Sequence, residues 1–154
     1  MYKRQVLGRV DRLVQGLHVA PMATLVYARA VRPEVSGGPW RLQVGNAGHP
    51  PLVLRYPDGR LELLDGVTGL LIGIDDTVHR RSREFELPAG TTVIAYTDGL
   101  IERPGADLDQ GTALLIERLA AAAADATPAE LCVAAVGPDP DRRDDIAVIA
   151  VRVG

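Results

Sequence analysis

Two stretches of this chain are apolar without the polar alternation of a half-exposed strand: Thr91-Thr92-Val93-Ile94-Ala95-Tyr96-Thr97 and Ile146-Ala147-Val148-Ile149-Ala150-Val151. Runs of this kind predict interior strands covered on both faces. Val93, Ile94, Ile146, Val148 and Ile149 are therefore expected to be almost fully buried. The remaining pattern is amphipathic. Val6, Val10, Leu13, Val14 and Leu17 recur at helical spacing and predict a helix over residues 6–16, ending near Gly16. Residues 23–31 are strand-like, and Trp40-Arg41-Leu42-Gln43-Val44 alternates cleanly. Leu52 to Tyr56, the turn Pro57-Asp58-Gly59, and Arg60 to Leu64 predict a hairpin, because proline presets the turn and glycine accepts positive φ. Residues 78–87 read as another strand, exposed on account of Arg80, Arg81, Arg83, Glu84 and Glu86. Residues 22–97 thus read as mostly an antiparallel meander. Two helices follow, one over about residues 110–124 and one opened by the capping box Thr127-Pro128-Ala129-Glu130 and running to about residue 136.

Composition narrows the function classes. A chain of 154 residues, 47% hydrophobic, can bury a real core as one domain. A net charge of −3 with no basic block argues against nucleic acid as a ligand. No apolar run reaches the roughly 20 residues of a membrane helix, and the N-terminus lacks a signal-peptide core. A cytoplasmic setting is expected. The single cysteine, Cys132, excludes an internal disulfide and reads as a small buried hydrophobe beside Leu131, Val133 and Ala134. Residues 1–5 are polar and basic and read as a possible non-native leader, with 6–154 as the domain.

The candidate chemistry lies at the mouths of the two apolar strands. The first runs into Asp98-Gly99, and Asp144-Asp145 leads into the second. A carboxylate there is rigidly held, close to solvent and free to bind a cation. Asp-Gly after a strand is commonly just a turn, and adjacent aspartates are commonly solvated. Together they are more informative, because hard divalent ions need carboxylate oxygens from fixed positions. Asn46-Ala47-Gly48-His49-Pro50-Pro51 is the other unusual segment. Gly48 permits an unusual backbone angle and the double proline stiffens the exit, so His49 is held on a rigid bend. Its role is either a structural hydrogen bond or metal and proton chemistry. His18 and His79 have no such setting. Asp75-Asp76 and Asp107-Leu108-Asp109 read as solvated loops, the second close enough to Asp98 to line the same mouth.

Taken in order, Asn46-Ala47-Gly48-His49-Pro50-Pro51, Leu70-Leu71-Ile72-Gly73, Tyr96-Thr97-Asp98-Gly99-Leu100-Ile101-Glu102 and Asp144-Asp145-Ile146-Ala147 resemble the bacterial branch of the metal-dependent protein phosphatases. That branch comprises the stage II sporulation protein E and sigma-factor-regulator phosphatases, distant relatives of the type 2C enzymes. The resemblance implies an α+β fold, an α-β-β-α sandwich of mainly antiparallel sheets. It implies two Mn²⁺ or Mg²⁺ ions that activate a water against a phosphoserine or phosphothreonine. By match to the family pattern, Asp98 and Asp144 are the metal ligands, with Gly99, Asp145, Asn46 and Gly48 as supporting positions and His49 as a catalytic candidate. The substrate implied is a phosphoprotein, such as an anti-sigma-factor antagonist or another regulator in a sigma-factor or two-component-type pathway, with sensor domains upstream.

One departure qualifies the resemblance. The family opens with strands carrying a Gly-Asp motif and a Gly-Asp-Val-Ser-Gly-His-Gly-like segment whose aspartate bridges both metals. Neither is in this sequence. The chain is therefore expected to be the C-terminal portion of such a domain, inactive alone, with an exposed apolar patch or strand edge. The competing reading is a non-catalytic, phosphatase-like binding or regulatory module.

Overall fold

The computed structural model describes residues 3–17, 22–103, 105, 107–138 and 145–154. In chain order the elements are α1 (Lys3–Leu17), β1 (Leu25–Val31), β2 (Trp40–Ala47), β3 (Val53–Arg55), β4 (Leu61–Leu63), β5 (Ser82–Leu87), β6 (Thr92–Tyr96), α2 (Leu108–Ala121), α3 (Pro128–Val136) and β7 (Val148–Arg152). All strand ladders among the described residues are antiparallel. The strands form two sheets, β1-β2-β5 and β4-β3-β6-β7. The chain divides into two compact units, Met1–Pro51 with Asp65–Leu87 and Leu52–Leu64 with Pro88–Gly154.

The meander expected over residues 22–97 is therefore not what forms. Within residues 22–97, only β1–β2 and β3–β4 pair consecutive strands, while β2 takes β5 and β3 takes β6. The reason lies in the Asn46–Pro51 bend: Pro50 and Pro51 carry no amide hydrogen, so the chain leaving β2 cannot fold straight back onto it.

In the first unit, α1 begins at Lys3, earlier than expected, since nothing in Lys3-Arg4-Gln5 breaks a helix. The helix packs on β1 and β2. Leu7 is buried there, and a Cβ on Gly45 would lie 2.9 Å from Leu7 Cδ1, so Gly45 makes room for the helix. The strand expected over residues 78–87 starts only at Ser82. Arg80, expected to be exposed, is instead buried at 5% exposure. It donates to Asp11 Oδ2 at 2.5 Å and to the Leu70 and Leu71 carbonyls, while Asp11 Oδ1 accepts the Gly73 amide at 2.7 Å. Charge drew Arg80 inward because a buried carboxylate was waiting for it.

In the second unit, Val53, Ile94, Tyr96, Leu115, Leu119 and Leu131 anchor a core between the sheet and the two helices. The helix expected over residues 110–124 is α2, two residues out at its start and shorter at its end. Asp107 is exposed, as expected, and is also the N-cap of α2, accepting the Gln110 amide at 2.8 Å. The alanine run favours continued helix, yet α2 ends at Ala121. Buried Arg55 of β3 takes the Ala122 and Ala123 carbonyls at 3.2 and 2.8 Å, which holds the chain out of helical geometry. The second helix forms as expected: Thr127 accepts from the Glu130 amide while Glu130 reaches back to the Thr127 amide at 2.7 Å.

The two apolar strands differ in fate. β6 is central, between β3 and β7, with Ile94 fully buried and Val93 half-buried. β7 is an edge strand among the described residues, contrary to expectation. Ile146 and Val148 are half-buried against the core, but Ile149 is 61% exposed and Val151 51%. An uninterrupted apolar run reports what both faces would need, not what covers them.

Candidate metal-binding site

Strand β6 delivers the chain into a tight turn. Thr97 closes it by accepting the Leu100 amide at 3.0 Å, and the Asp98 carbonyl accepts the Ile101 and Glu102 amides, both at 2.8 Å. The result is one turn of 3₁₀ helix over Asp98–Leu100. Gly99, Leu100 and Ile101 are buried beneath it, while Asp98 is exposed. Its Oδ1 accepts the Gly99 amide at 3.1 Å, which orients the carboxylate on its own turn. Gly111 explains how α2 can support this turn: a Cβ there would sit 1.8 Å from the Ile101 carbonyl oxygen. No residue but glycine fits that contact.

The segment leading into β7 is tied to the same turn. The Thr97 amide donates to the Ala147 carbonyl at 3.0 Å, continuing the β6–β7 ladder one step past Tyr96↔Val148. The Thr97 hydroxyl accepts the Ala147 amide at 2.9 Å and donates to the Asp145 carbonyl at 3.4 Å. The chain at Asp145 is thereby anchored to the residue immediately before Asp98. Asp144 lies outside the described residues, so its expected approach to Asp98 and the opposite facing of Asp145 are not among the geometry seen. Thr97 is the site residue that sequence reasoning missed. The signal was present, since threonine at a strand end readily bonds neighbouring backbone through its hydroxyl.

Asn46, Gly48 and His49 belong to the other unit, where they form a locked bend. The Asn46 side chain accepts the His49 amide at 2.8 Å and donates to the His49 carbonyl at 2.7 Å. Gly48 has φ +74°, and a Cβ there would meet Leu71 Cγ at 2.7 Å. His49 Nδ1 lies 2.9 Å from the Pro50 carbonyl oxygen. A carbonyl can only accept, so Nδ1 is the donor in this contact. His79 is exposed, His18 lies outside the described residues, and Cys132 is half-buried with Sγ 3.9 Å from the Val148 carbonyl oxygen.

The donor chemistry of Asp98 suits a hard divalent ion: a solvent-facing carboxylate on a rigid turn. Among the described residues, no three His, Cys, Asp or Glu side chains gather into a metal-holding group. Asp75 is turned to its own loop, where it accepts the Thr77 amide and hydroxyl at 2.9 and 2.6 Å. These bonds hold its carboxyl below the ordinary aspartate range.

Among the described residues, three α-helices and antiparallel sheets in this order make a mixed α/β fold of the type 2C-like phosphatase class. The chain belongs to the stage II sporulation protein E (SpoIIE) family, whose model matches residues 3–154. Among solved structures it is similar to the RsbU and RsbW domains of Rv1364c from Mycobacterium tuberculosis, at 25% identity and TM-score 0.74, covering 97% of this chain and 41% of that one. It is similar to RsbX in complex with magnesium, at 15% identity and TM-score 0.66, covering 97% of this chain and 64% of that one. The manganese-presoaked phosphatase domain of the cell-fate determinant SpoIIE from Bacillus subtilis matches at 17% identity and TM-score 0.60, covering 85% of this chain and 56% of that one. The chain thus spans between 41% and 64% of the length of these three structures. Among curated proteins, none matches the sequence.

Proposed function

We propose that this chain is the part of a metal-dependent serine/threonine phosphatase domain that presents Asp98 and Asp144 to Mn²⁺ or Mg²⁺, acting on a phosphoprotein regulator in a sigma-factor or two-component-type pathway of the cytoplasm. The observation that carries this reading is the mounting of Asp98 in a SpoIIE-family chain: an exposed carboxylate on a buried turn, with the chain at Asp145 tied to the same turn. A bound pair of divalent ions supplies an activated water and neutralises charge on phosphoryl oxygens. The chain's own contribution is to fix the carboxylate and keep Gly99 close beneath it. His49, held on a locked bend with Nδ1 directed at the Pro50 carbonyl, is the further candidate for a part in catalysis. Asp98 and Asp144 would hold these ions, and cations brought together there would need further anionic ligands beside them.

The alternative is a binding module without catalysis. Mn²⁺-dependent hydrolysis of p-nitrophenyl phosphate separates the two. It is measured on the 154-residue chain and on any longer polypeptide that contains it. The phosphatase reading expects turnover in the longer polypeptide, lost in Asp98→Asn or Asp144→Asn. Failure of either substitution to reduce turnover would exclude it, and absence of metal-dependent turnover from every form would leave the binding module.

A further inference from the structure

We propose that the outer edge of β7 takes a second copy of this chain, strand against strand and antiparallel, with the two-fold axis at Ala150. The inference is independent of the phosphatase reading above.

The direction of each backbone group in β7 follows from its pairing. The Thr97 amide donates to the Ala147 carbonyl at 3.0 Å, and the Val153 amide donates to the Thr91 carbonyl at 2.9 Å. Between these two bonds the register is unbroken, from Tyr96↔Val148 to Thr92↔Arg152. Hydrogen-bonded residues alternate along an antiparallel ladder, so Ala147, Ile149, Val151 and Val153 bond towards β6. Val148, Ala150 and Arg152 therefore turn their amides and carbonyls away from it. Among the described residues, β7 pairs with β6 alone, and no strand takes these outward groups. The Val148 carbonyl meets the Cys132 thiol at 3.9 Å, and a thiol is a weak donor.

Open edge groups suit any strand, and the side chains select a second copy. Burial falls along one face of the sheet: Leu54 of β3 is fully buried, Val93 beside it on β6 is half-buried, and Val151 beside that is 51% exposed. Ile149, 61% exposed, lies on the same face. When β7 meets its own copy about Ala150, Ala150 faces Ala150 and Val148 faces Arg152. All the outward residues of the strand then exchange bonds in hydrogen-bonded pairs. Ile149 stands opposite Val151 of the second copy, twice by symmetry, in the closely spaced kind of pair. One register thus satisfies the edge and continues the apolar row from chain to chain. Charge does not oppose it. Arg152, the one charged residue of the strand, is turned onto the Thr92 hydroxyl and the Ala126 carbonyl of its own chain. The same edge serves both copies, so the contact closes at a dimer. An edge of five residues is small beside the roughly 1,200 Å² and more that stable complexes bury, so this dimer is weak and reversible.

Amide hydrogen exchange followed by NMR on the 154-residue chain, at a high and a low concentration, reads the edge residue by residue. The expected result is that the Val148, Ala150 and Arg152 amides exchange faster on dilution, while those of Ile149 and Val151 do not change. Exchange at the outward amides that stays slow on dilution would mean that the edge is covered from within one chain. Exchange that stays fast would mean that nothing covers it. Either outcome overturns the inference. Sedimentation velocity on two double variants then tests the register. Ile149→Lys with Val151→Lys sets like charges opposite one another and should weaken self-association by about tenfold or more. Ile149→Glu with Val151→Lys sets opposite charges in both cross-chain pairs and should restore association, in a salt-sensitive form. Equal loss in both variants at unchanged Tm would mean unspecific apolar contact and would overturn the inference. Where a variant loses Tm, the exchange pattern of the parent chain decides.

Discussion

Asp11 and Arg80, from a helix and from a loop 69 positions later in the chain, meet as a buried ion pair at 2.5 Å, with side chains 1% and 2% exposed. Burial by itself would push the Asp11 carboxyl up. The Gly73 amide, the Arg80 guanidinium and the Gln15 side chain outweigh it and hold the group below the ordinary aspartate range. Its folded pKa is thus depressed relative to the unfolded chain. The stabilisation is then fully present above the unfolded value of about 3.9 and is lost as pH falls through the lower folded value.

Removing one partner of such a pair strands the other charge. Asp11→Ala is expected to destabilise the chain by on the order of 3 kcal/mol at neutral pH. Urea denaturation followed from neutral pH down into the acid range is the measurement. The parent midpoint should fall at the acid end, while Asp11→Ala should lose that part of the acid sensitivity. A variant with unchanged midpoint at neutral pH would show that Arg80 finds other partners without strain.

Gly111 should tolerate no side chain. A methyl placed there would come within 1.8 Å of the Ile101 carbonyl oxygen, a backbone atom that cannot swing aside as a side chain can. Gly111→Ala gains helix propensity but should still cost about 3 kcal/mol, because α2 must shift from the turn that carries Asp98. By differential scanning calorimetry that is a Tm lower by roughly 10 °C. An unchanged or higher Tm would mean that helix and turn are not held in this contact.

The face of β7 that carries Ile149 and Val151 invites self-association, since an edge strand exposes unpaired amides and carbonyls beside apolar side chains. Ile149→Thr with Val151→Thr keeps β-branched residues in the strand and should leave Tm within about 3 °C, as expected of exposed sites. Dynamic light scattering should show less aggregation with concentration. A large fall in Tm would instead mean that both side chains are buried in solution.

Local chemistry was the most legible part of this sequence. The capping box at Thr127 and the Pro57-Asp58-Gly59 hairpin are decided within a few residues, and both form where expected. The Asn46–Pro51 bend was legible as rigid for the same reason. What depends on distant partners was not. Arg80 reads as a surface residue until Asp11 is seen behind it, and the alanine run after α2 reads as helix until Arg55 reaches its carbonyls. Asp107 reads as solvated although a cap needs only the helix that follows it, so that role lay within reach of the sequence. At the candidate site the Asp-Gly turn was visible in the sequence. That Thr97 would bond neighbouring backbone was legible as well, but which chain its hydroxyl joins was decided only by β6 and β7 being neighbours.

The two units also interleave along the chain, crossing from one to the other at residues 51–52, 64–65 and 87–88. A ribosome therefore releases the β3–β4 hairpin before β5, the strand that completes the first sheet, and well before β6, the strand that hairpin needs. Neither unit can close in the order in which it is made. Nor can one proteolytic nick between residues 52 and 87 divide the chain into two intact pieces: each fragment would keep part of both units. Recovery of a native-like complex from two such fragments would have to restore both units together.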